Sequence, residues 1–270
     1  MINQIKHILQ MPKMENNFLK KISSKNILTL SCIFFLFFCN SCTRSILSKY
    51  GLFAEQVLLK KVSNNKKSII FMPMHHVGKP TFYADVRYKI DSLQKADYFV
   101  FFEGLSKGFD INSKDYDTAQ RKIRKVLGLV TSQIKDGYLD TASGTLAGIK
   151  FNFLKGLVNQ PKGYKLGIDS TKAKNVDLSF KQLIQLHEEK YGIINLDECD
   201  LNNKLSDKYS CRKLKNKNAK IDMMENYRNE NIVNEIIASP NRNILIIYGS
   251  KHVKAIIQLL QQKDASWIEN

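Results

Sequence analysis

Four short apolar runs, each followed within four residues by a histidine or a carboxylate, constrain the fold of this chain more than any other feature. They are Ser68–Met74 (SIIFMPM), Tyr98–Phe102 (YFVFF), Tyr164–Ile168 (YKLGI) and Asn243–Tyr248 (NILIIY). A near-continuous apolar run of this length is what a strand covered on both faces looks like, whereas a strand covered on one face alternates. Helical patterns separate the runs. Phe82–Lys95 carries Phe82, Val86, Ile90 and Leu93 at three-to-four spacing, and Val176–Tyr191, Ile221–Ala238 and Val253–Gln262 follow the same rule. This alternation predicts an α/β (α+β) fold, with a central, mostly parallel β-sheet flanked by helices. Thr118–Ile134 and Thr145–Leu157 read as further helices without a strand between them, so an inserted helical segment is expected over about 117–158.

The N-terminus reads as a targeting segment. Lys20, Lys21 and Lys25 precede the apolar stretch Ile27–Phe38, which is shorter than the roughly 20 residues a membrane span needs. Ser41 and Cys42 come next. This order predicts a signal peptide over 1–41. The run Cys39-Asn40-Ser41-Cys42 resembles a loosely written lipobox, with Cys42 as the lipidated residue. The expected product is exported and lipid-anchored to a bacterial membrane, on its periplasmic or cell-surface side. An uncleaved anchor helix is the alternative. Residues 42–67 read as a tether and first helix, and 68–270 as one domain.

Beyond Cys42, the mature chain keeps only Cys199 and Cys211, separated by a polar, loop-like stretch. In an oxidising compartment such a pair predicts a disulfide, the alternative being two unrelated thiols. The formal charge of +17 invites a nucleic-acid reading. Export and the scatter of lysines among Asn and Ile argue against that partner and leave a weak attraction to anionic membrane surfaces.

The chemistry is expected where the runs end. His75 and His76 follow the first, Glu103 the second, Asp169 the third, and Tyr248-Gly249-Ser250-Lys251-His252 close the fourth. In open α/β sheets ligands bind outside the carboxyl ends of the strands. If the strands are neighbours, these side chains converge. Two imidazoles with one or two carboxylates form a typical ligand set for a divalent metal that activates water. Taken singly, each has a plain structural reading: a hydrogen-bonded histidine, a strand-end glutamate, an aspartate capping a turn. His187 reads as a surface histidine. His75 and His76 would point to opposite faces of an extended strand, so one of the two is expected at the site.

The late unit, Ile244–Leu260 (ILIIYGSKHVKAIIQLL), resembles the strand–GxxHV–helix unit of the TraB/Tiki superfamily, which includes erythromycin-esterase-like and ChaN-like proteins. Glu103 in YFVFFEG resembles the family glutamate, Arg228 in ENYRN its helix arginine, and Pro73-Met74-His75-His76-Val77 its early GxxH motif with Pro73 in place of glycine. His76 is the better match because Val77 follows it. Asp169 lies where relatives often carry an aspartate. The resemblance covers roughly 68–262. It implies a metal-dependent hydrolase, plausibly a peptidase, with His76 and His252 binding manganese, cobalt or zinc. Glu103 would be a further ligand or the general base, and Arg228 would orient Glu103 or stabilise the oxyanion. Asp169 would fix an imidazole. The substrate would be a peptide or a small molecule. The other implied reading is a haem- or ligand-binding lipoprotein without hydrolytic activity, with a histidine or Tyr248 as axial ligand.

Overall fold

The computed structural model describes residues 44–270 apart from 46, 50, 107, 111, 129–136 and 147, and for Tyr164 the backbone alone. The signal peptide and Cys42 lie outside the described residues. Among the described residues no helix is long and apolar enough to cross a membrane.

A six-stranded mixed sheet forms the centre. Its strands are β1 (Lys60–Ser63), β2 (Ser68–Met74), β3 (Phe99–Phe102), β4 (Ala173–Asn175), β5 (Asn243–Gly249) and β6 (Ile268–Glu269), in the spatial order β6-β1-β2-β5-β3-β4. The pairings β2–β5, β5–β3 and β3–β4 are parallel; β1 pairs antiparallel with both β2 and β6. The central strands are apolar throughout because both faces are covered. Ile69 and Phe71 of β2, Phe101 of β3, and Ile244, Ile246 and Tyr248 of β5 face one core. Ile70, Met72 and Met74, Val100, and Leu245 and Ile247 face the other. The period-two alternation of a strand is thus intact but masked by apolar residues on both sides.

Helices close both faces. The first, α1 (Pro80–Lys95), starts with proline in its first turn, where no amide hydrogen bond is lost, and buries Phe82, Val86 and Ile90 in the second core. The pair α6 (Tyr227–Ala238) and α7 (Ser250–Lys263) covers the opposite face with Ile232, Ile236, Ile256 and Leu260. Away from the sheet, α2 (Lys114–Leu127) and α3 (Phe180–Tyr191) share a smaller core through Ile123, Val126, Leu183 and Ile184. Ser179 and Gln182 form a reciprocal capping box at the start of α3. Two short helices, α4 (Glu198–Asn202) and α5 (Lys217–Ile221), flank a disulfide between Cys199 and Cys211.

The architecture differs from the sequence expectation in four places. Residues 42–67 contain strand β1 in addition to helical residues at 44–45 and 47–49. The run Tyr164–Ile168 is not a strand: Gly163–Leu166 is a 3-10 turn whose Leu166 is buried under α1, and the strand here is the polar Ala173–Asn175. Thr145–Leu157 is not helical. It contributes to a small antiparallel sheet of Leu139–Asp140, Thr145–Leu146 and Ile149–Lys150, and Val158–Asn159 pairs with Val77–Gly78. The 117–158 segment is therefore part helix and part hairpin module. His187 is not on the surface but buried against Tyr191.

Candidate functional site

Parallel pairing brings the carboxyl ends of β2, β5, β3 and β4 to one rim. Met74 is in register with Gly249, and Ile247 with Phe102, so His75-His76, Ser250–His252 and Glu103 leave the sheet side by side. The fourth strand ends at Asn175, and two residues later Asp177 turns back beneath the same rim.

The centre is an ion cluster. Arg228 Nη2 donates to Glu103 Oε1 at 2.5 Å and to Asp177 Oδ2 at 2.7 Å, while its Nε donates to Asp177 Oδ1 at 2.8 Å. The Asp177 carboxylate therefore holds the guanidinium fork by two hydrogen bonds, the geometry in which arginine binds best. Tyr248 also donates to Asp177 Oδ1, at 3.1 Å, with its ring under the guanidinium at 5.5 Å. The second oxygen of Glu103 accepts the Gly249 amide at 2.6 Å, and the Glu103 amide donates to Ile247 O at 3.0 Å. Gly249 leaves room for this contact: a Cβ there would lie 3.1 Å from Glu103 Oε2 and 3.5 Å from His252 Cδ2.

Arg228 owes its position to the helix start. A π-helical turn over Asp222–Asn226 runs directly into α6, and Arg228 Nη1 reaches back to Met224 O at 3.4 Å. Wide turns of this kind cluster at functional sites. Further along α6, Asn231 donates to Val176 O at 2.8 Å, tying the helix to the loop that carries Asp177.

His252 lies in the first turn of α7, buried, its ring edge-on to Tyr248 with centroids 5.0 Å apart. Its Nδ1 meets Asn229 Oδ1 at 2.7 Å. An amide oxygen only accepts, so Nδ1 carries the proton and Nε2 keeps its lone pair. Burial, followed by the Arg228 charge, lowers the imidazole to about 4, with Glu103 opposing. His252 is neutral at pH 7. For Glu103, burial pushes upward but the Arg228 and His252 charges and the two hydrogen bonds outweigh it; its carboxyl sits below the usual range and stays ionised. Arg228 is pushed up: burial opposes this, but the Asp177 hydrogen bonds and the Glu103 charge prevail.

His76 is exposed on the same rim. Its carbonyl accepts from the Gln160 amide at 2.8 Å, its ring lies 4.7 Å from that of Tyr138, and the Glu103 charge acts on its imidazole. Tyr138, at the start of the hairpin module, also feels the Glu103 charge, although burial is the larger cause raising its hydroxyl. His75 points the other way. It packs at 5.2 Å on Phe82 and against Gly51, where a Cβ would come within 2.4 Å of its Nε2; its Nδ1 has no partner among the described residues. Of the adjacent pair, His76 faces the site.

No family model, no curated protein and no solved structure matches this chain.

Two expected roles change. Asp169 is exposed and caps a 3-10 turn by accepting from the Thr171 amide at 2.9 Å; the partner that fixes the His252 imidazole is Asn229. Tyr248 is fully buried and its hydroxyl donates to Asp177, where the sequence expectation offers it as an axial ligand to haem. For the expected metal, the donor chemistry of His76, Glu103 and His252 is suitable. Both Glu103 oxygens already accept hydrogen bonds, and among the described residues no three His, Cys, Asp or Glu side chains are grouped to hold an ion. Sequence reasoning missed Asp177, Asn229 and Tyr138. Asn229 had one available signal, its place beside Arg228.

Proposed function

We propose that the protein is a hydrolase of peptide-like or ester-like carbonyl substrates, acting at the rim formed by His76, Glu103 and His252. One observation carries this reading. Neighbouring parallel strands bring a neutral imidazole with a free Nε2 and an ionised glutamate to one open edge, and the glutamate is clamped by Arg228 and the Gly249 amide. Partly buried charge at a sheet rim is costly to maintain, and perturbed titrating groups gather at functional sites.

In this reading His252 Nε2 takes the proton of the attacking water. The Glu103 carboxylate stabilises the imidazolium that forms, and Arg228 and Gly249 hold that carboxylate in place. The imidazolium then returns the proton to the departing nitrogen or oxygen as the carbonyl carbon's bond to it breaks. His76 and Tyr138 form the solvent-facing wall against which substrate lies. The expected metal requirement is decided by the same assay that tests the activity, and no step above depends on it.

The test uses the mature protein, chelator-treated and then supplied with manganese, cobalt, zinc or none, against a panel of peptides and esters. Glu103→Gln and His252→Ala are each expected to lower kcat/KM by at least about a hundredfold with the far-UV spectrum unchanged. Undiminished turnover in both variants, or no turnover by the wild type under any metal condition, overturns the proposal.

A further inference from the structure

We propose that the cavity between α6 and α7 binds a neutral, hydroxyl-rich molecule of monosaccharide size, and that its occupancy is felt at His252 through Asn229. The site stands whether or not the rim is hydrolytic, and its test reads binding, not turnover.

The cavity measures about 340 Å³. That is the small end of the range for ligand sites, roughly 300–1,000 Å³. One face of each helix lines it. Asn229 and Glu230 come from the first turn of α6, and Gln258, Leu259 and Gln262 follow along α7 at helical spacing. Lys190 of α3 and Asp222 of the π-helical turn complete the wall, joined by an ion pair at 2.7 Å.

Asn229 is the observation that points to a ligand. The residue is 2% exposed, and its Oδ1 is occupied by His252 Nδ1 at 2.7 Å. Among the described residues no hydrogen bond reaches its Nδ2. The sealed side-chain atoms without a partner are His75 Nδ1, Arg124 Nε, His187 Nδ1 and Asn203 Oδ1, and Asn229 Nδ2 is not one of them. An unpartnered atom that is not sealed, on a residue that lines the cavity, opens on the cavity. The amide thus presents its N–H donors there, and a group this deep is costly to leave unpaired.

The rest of the lining selects the ligand. Exposed Gln258 and Gln262 each offer a donor and an acceptor. With Lys190 tied to Asp222, Glu230 is the lining carboxylate left without an ion pair among the described residues. An anion would be repelled by it. A cation would gain little from it, because the group is exposed and screened. A hydroxyl both donates and accepts, so neighbouring hydroxyls can serve amide N–H, amide oxygen and carboxylate in turn without bringing a charge. Leu259 and the buried Tyr227 give the apolar part of the wall, where the C–H face of a sugar ring would lie. An acceptor on Asn229 Nδ2 also polarises the amide and strengthens its oxygen as the partner of His252 Nδ1.

The experiment titrates the purified full chain, by calorimetry, with glucose, galactose, mannose and N-acetylglucosamine, and with the charged relatives glucosamine and glucuronate. At least one neutral sugar is expected to bind with a Kd in the millimolar range, as suits a ligand of about 12 non-hydrogen atoms held by polar contacts. The double variant Gln258→Ala/Gln262→Ala should weaken binding at least about tenfold with the far-UV spectrum unchanged. Lys263→Ala, outside the lining, should bind as the wild type does. The His252 Cε1–H resonance, identified by its loss in His252→Gln, should shift on saturation in the wild type and stay in place in the double variant. Absence of binding by every neutral sugar at about 50 mM, a charged relative favoured by more than about tenfold, or an equal loss in Lys263→Ala overturns the site. Binding that leaves the His252 resonance unmoved overturns the link through Asn229.

Discussion

The most direct probe of the rim is the pH dependence of stability contributed by His252. The imidazole titrates at 6.5 when exposed and at about 4 in the folded protein, because burial and the Arg228 charge both oppose protonation. Above pH 6.5 it is neutral in both states and adds no slope. As pH falls below 6.5 the unfolded chain takes up the proton first, so stability is lost progressively until about pH 4, below which both states are protonated and the loss is complete. The difference between 6.5 and about 4, at 1.36 kcal/mol per pH unit, is about 3 kcal/mol. That is a large share of the roughly 5–15 kcal/mol that holds a domain folded. His252→Gln removes the titration but keeps an amide N–H that can still donate to Asn229. Urea unfolding of both proteins, with chelator present and between about pH 7.5 and 4.5, should show the wild type losing about 2.5 kcal/mol more than the variant over that range, the remainder being lost below pH 4.5. The other histidines are common to both proteins and cancel in the comparison. Parallel stability curves would show that His252 is not held neutral by its surroundings, and the proton-transfer role would lose its basis.

Asp177→Asn removes the charge that faces the Arg228 fork while keeping the side chain's shape; it should cost about 3–5 kcal/mol in urea unfolding, and a change below about 1 kcal/mol would mean that Glu103 alone suffices. Cys211→Ser opens a bridge between residues 12 apart in sequence and should lower stability by about 3 kcal/mol relative to the oxidised wild type, an effect that disappears when both proteins are measured under reducing conditions. Gly249→Ala puts a methyl group 3.1 Å from Glu103 Oε2. It should displace the carboxylate from the Gly249 amide and reduce kcat/KM about tenfold without unfolding the protein, and unchanged kinetics would remove Gly249 from the positioning machinery.

How much of this molecule can be read from its sequence depends on where each element sits in the sheet. The strands β2, β3 and β5 are legible to within a residue because central strands must be apolar on both faces. Edge strand β4 is not: Ala-Lys-Asn pairs with β3 on one side only and leaves Lys174 and Asn175 exposed, so it has no apolar run to detect. The run Tyr-Lys-Leu-Gly-Ile imitates a strand because Leu166 is buried and Ile168 half-buried, but they pack into the core that α1 covers without a strand partner. The hairpin module imitates a helix for a similar reason. Leu146, Leu154 and Leu157 fill one small core at spacings a helix would also produce. Gly144 and Gly148 break that pattern, adopting φ values of 66° and 78° that turn the chain into hairpins.

The same logic explains which site residues were legible. His76, Glu103, Gly249 and His252 each follow a central strand, so finding the strand finds the residue. Asp177 follows the edge strand and is lost with it, although its side chain is fully buried and supplies two of the hydrogen bonds that hold Arg228. Asp169 took its place in the expectation because a buried turn resembled a strand and because the family resemblance puts an aspartate near that point. Asn229 has a different origin. It presents an oxygen to His252 Nδ1 only because α6 and α7 pack together across the same face of the sheet, and sequence spacing carries no trace of that contact. The groups that would react with substrate are thus written along the strands. Asn229 and Asp177, which fix the orientation of His252 and Arg228, come from helix packing and from an edge strand, and single-sequence patterning is blind to both.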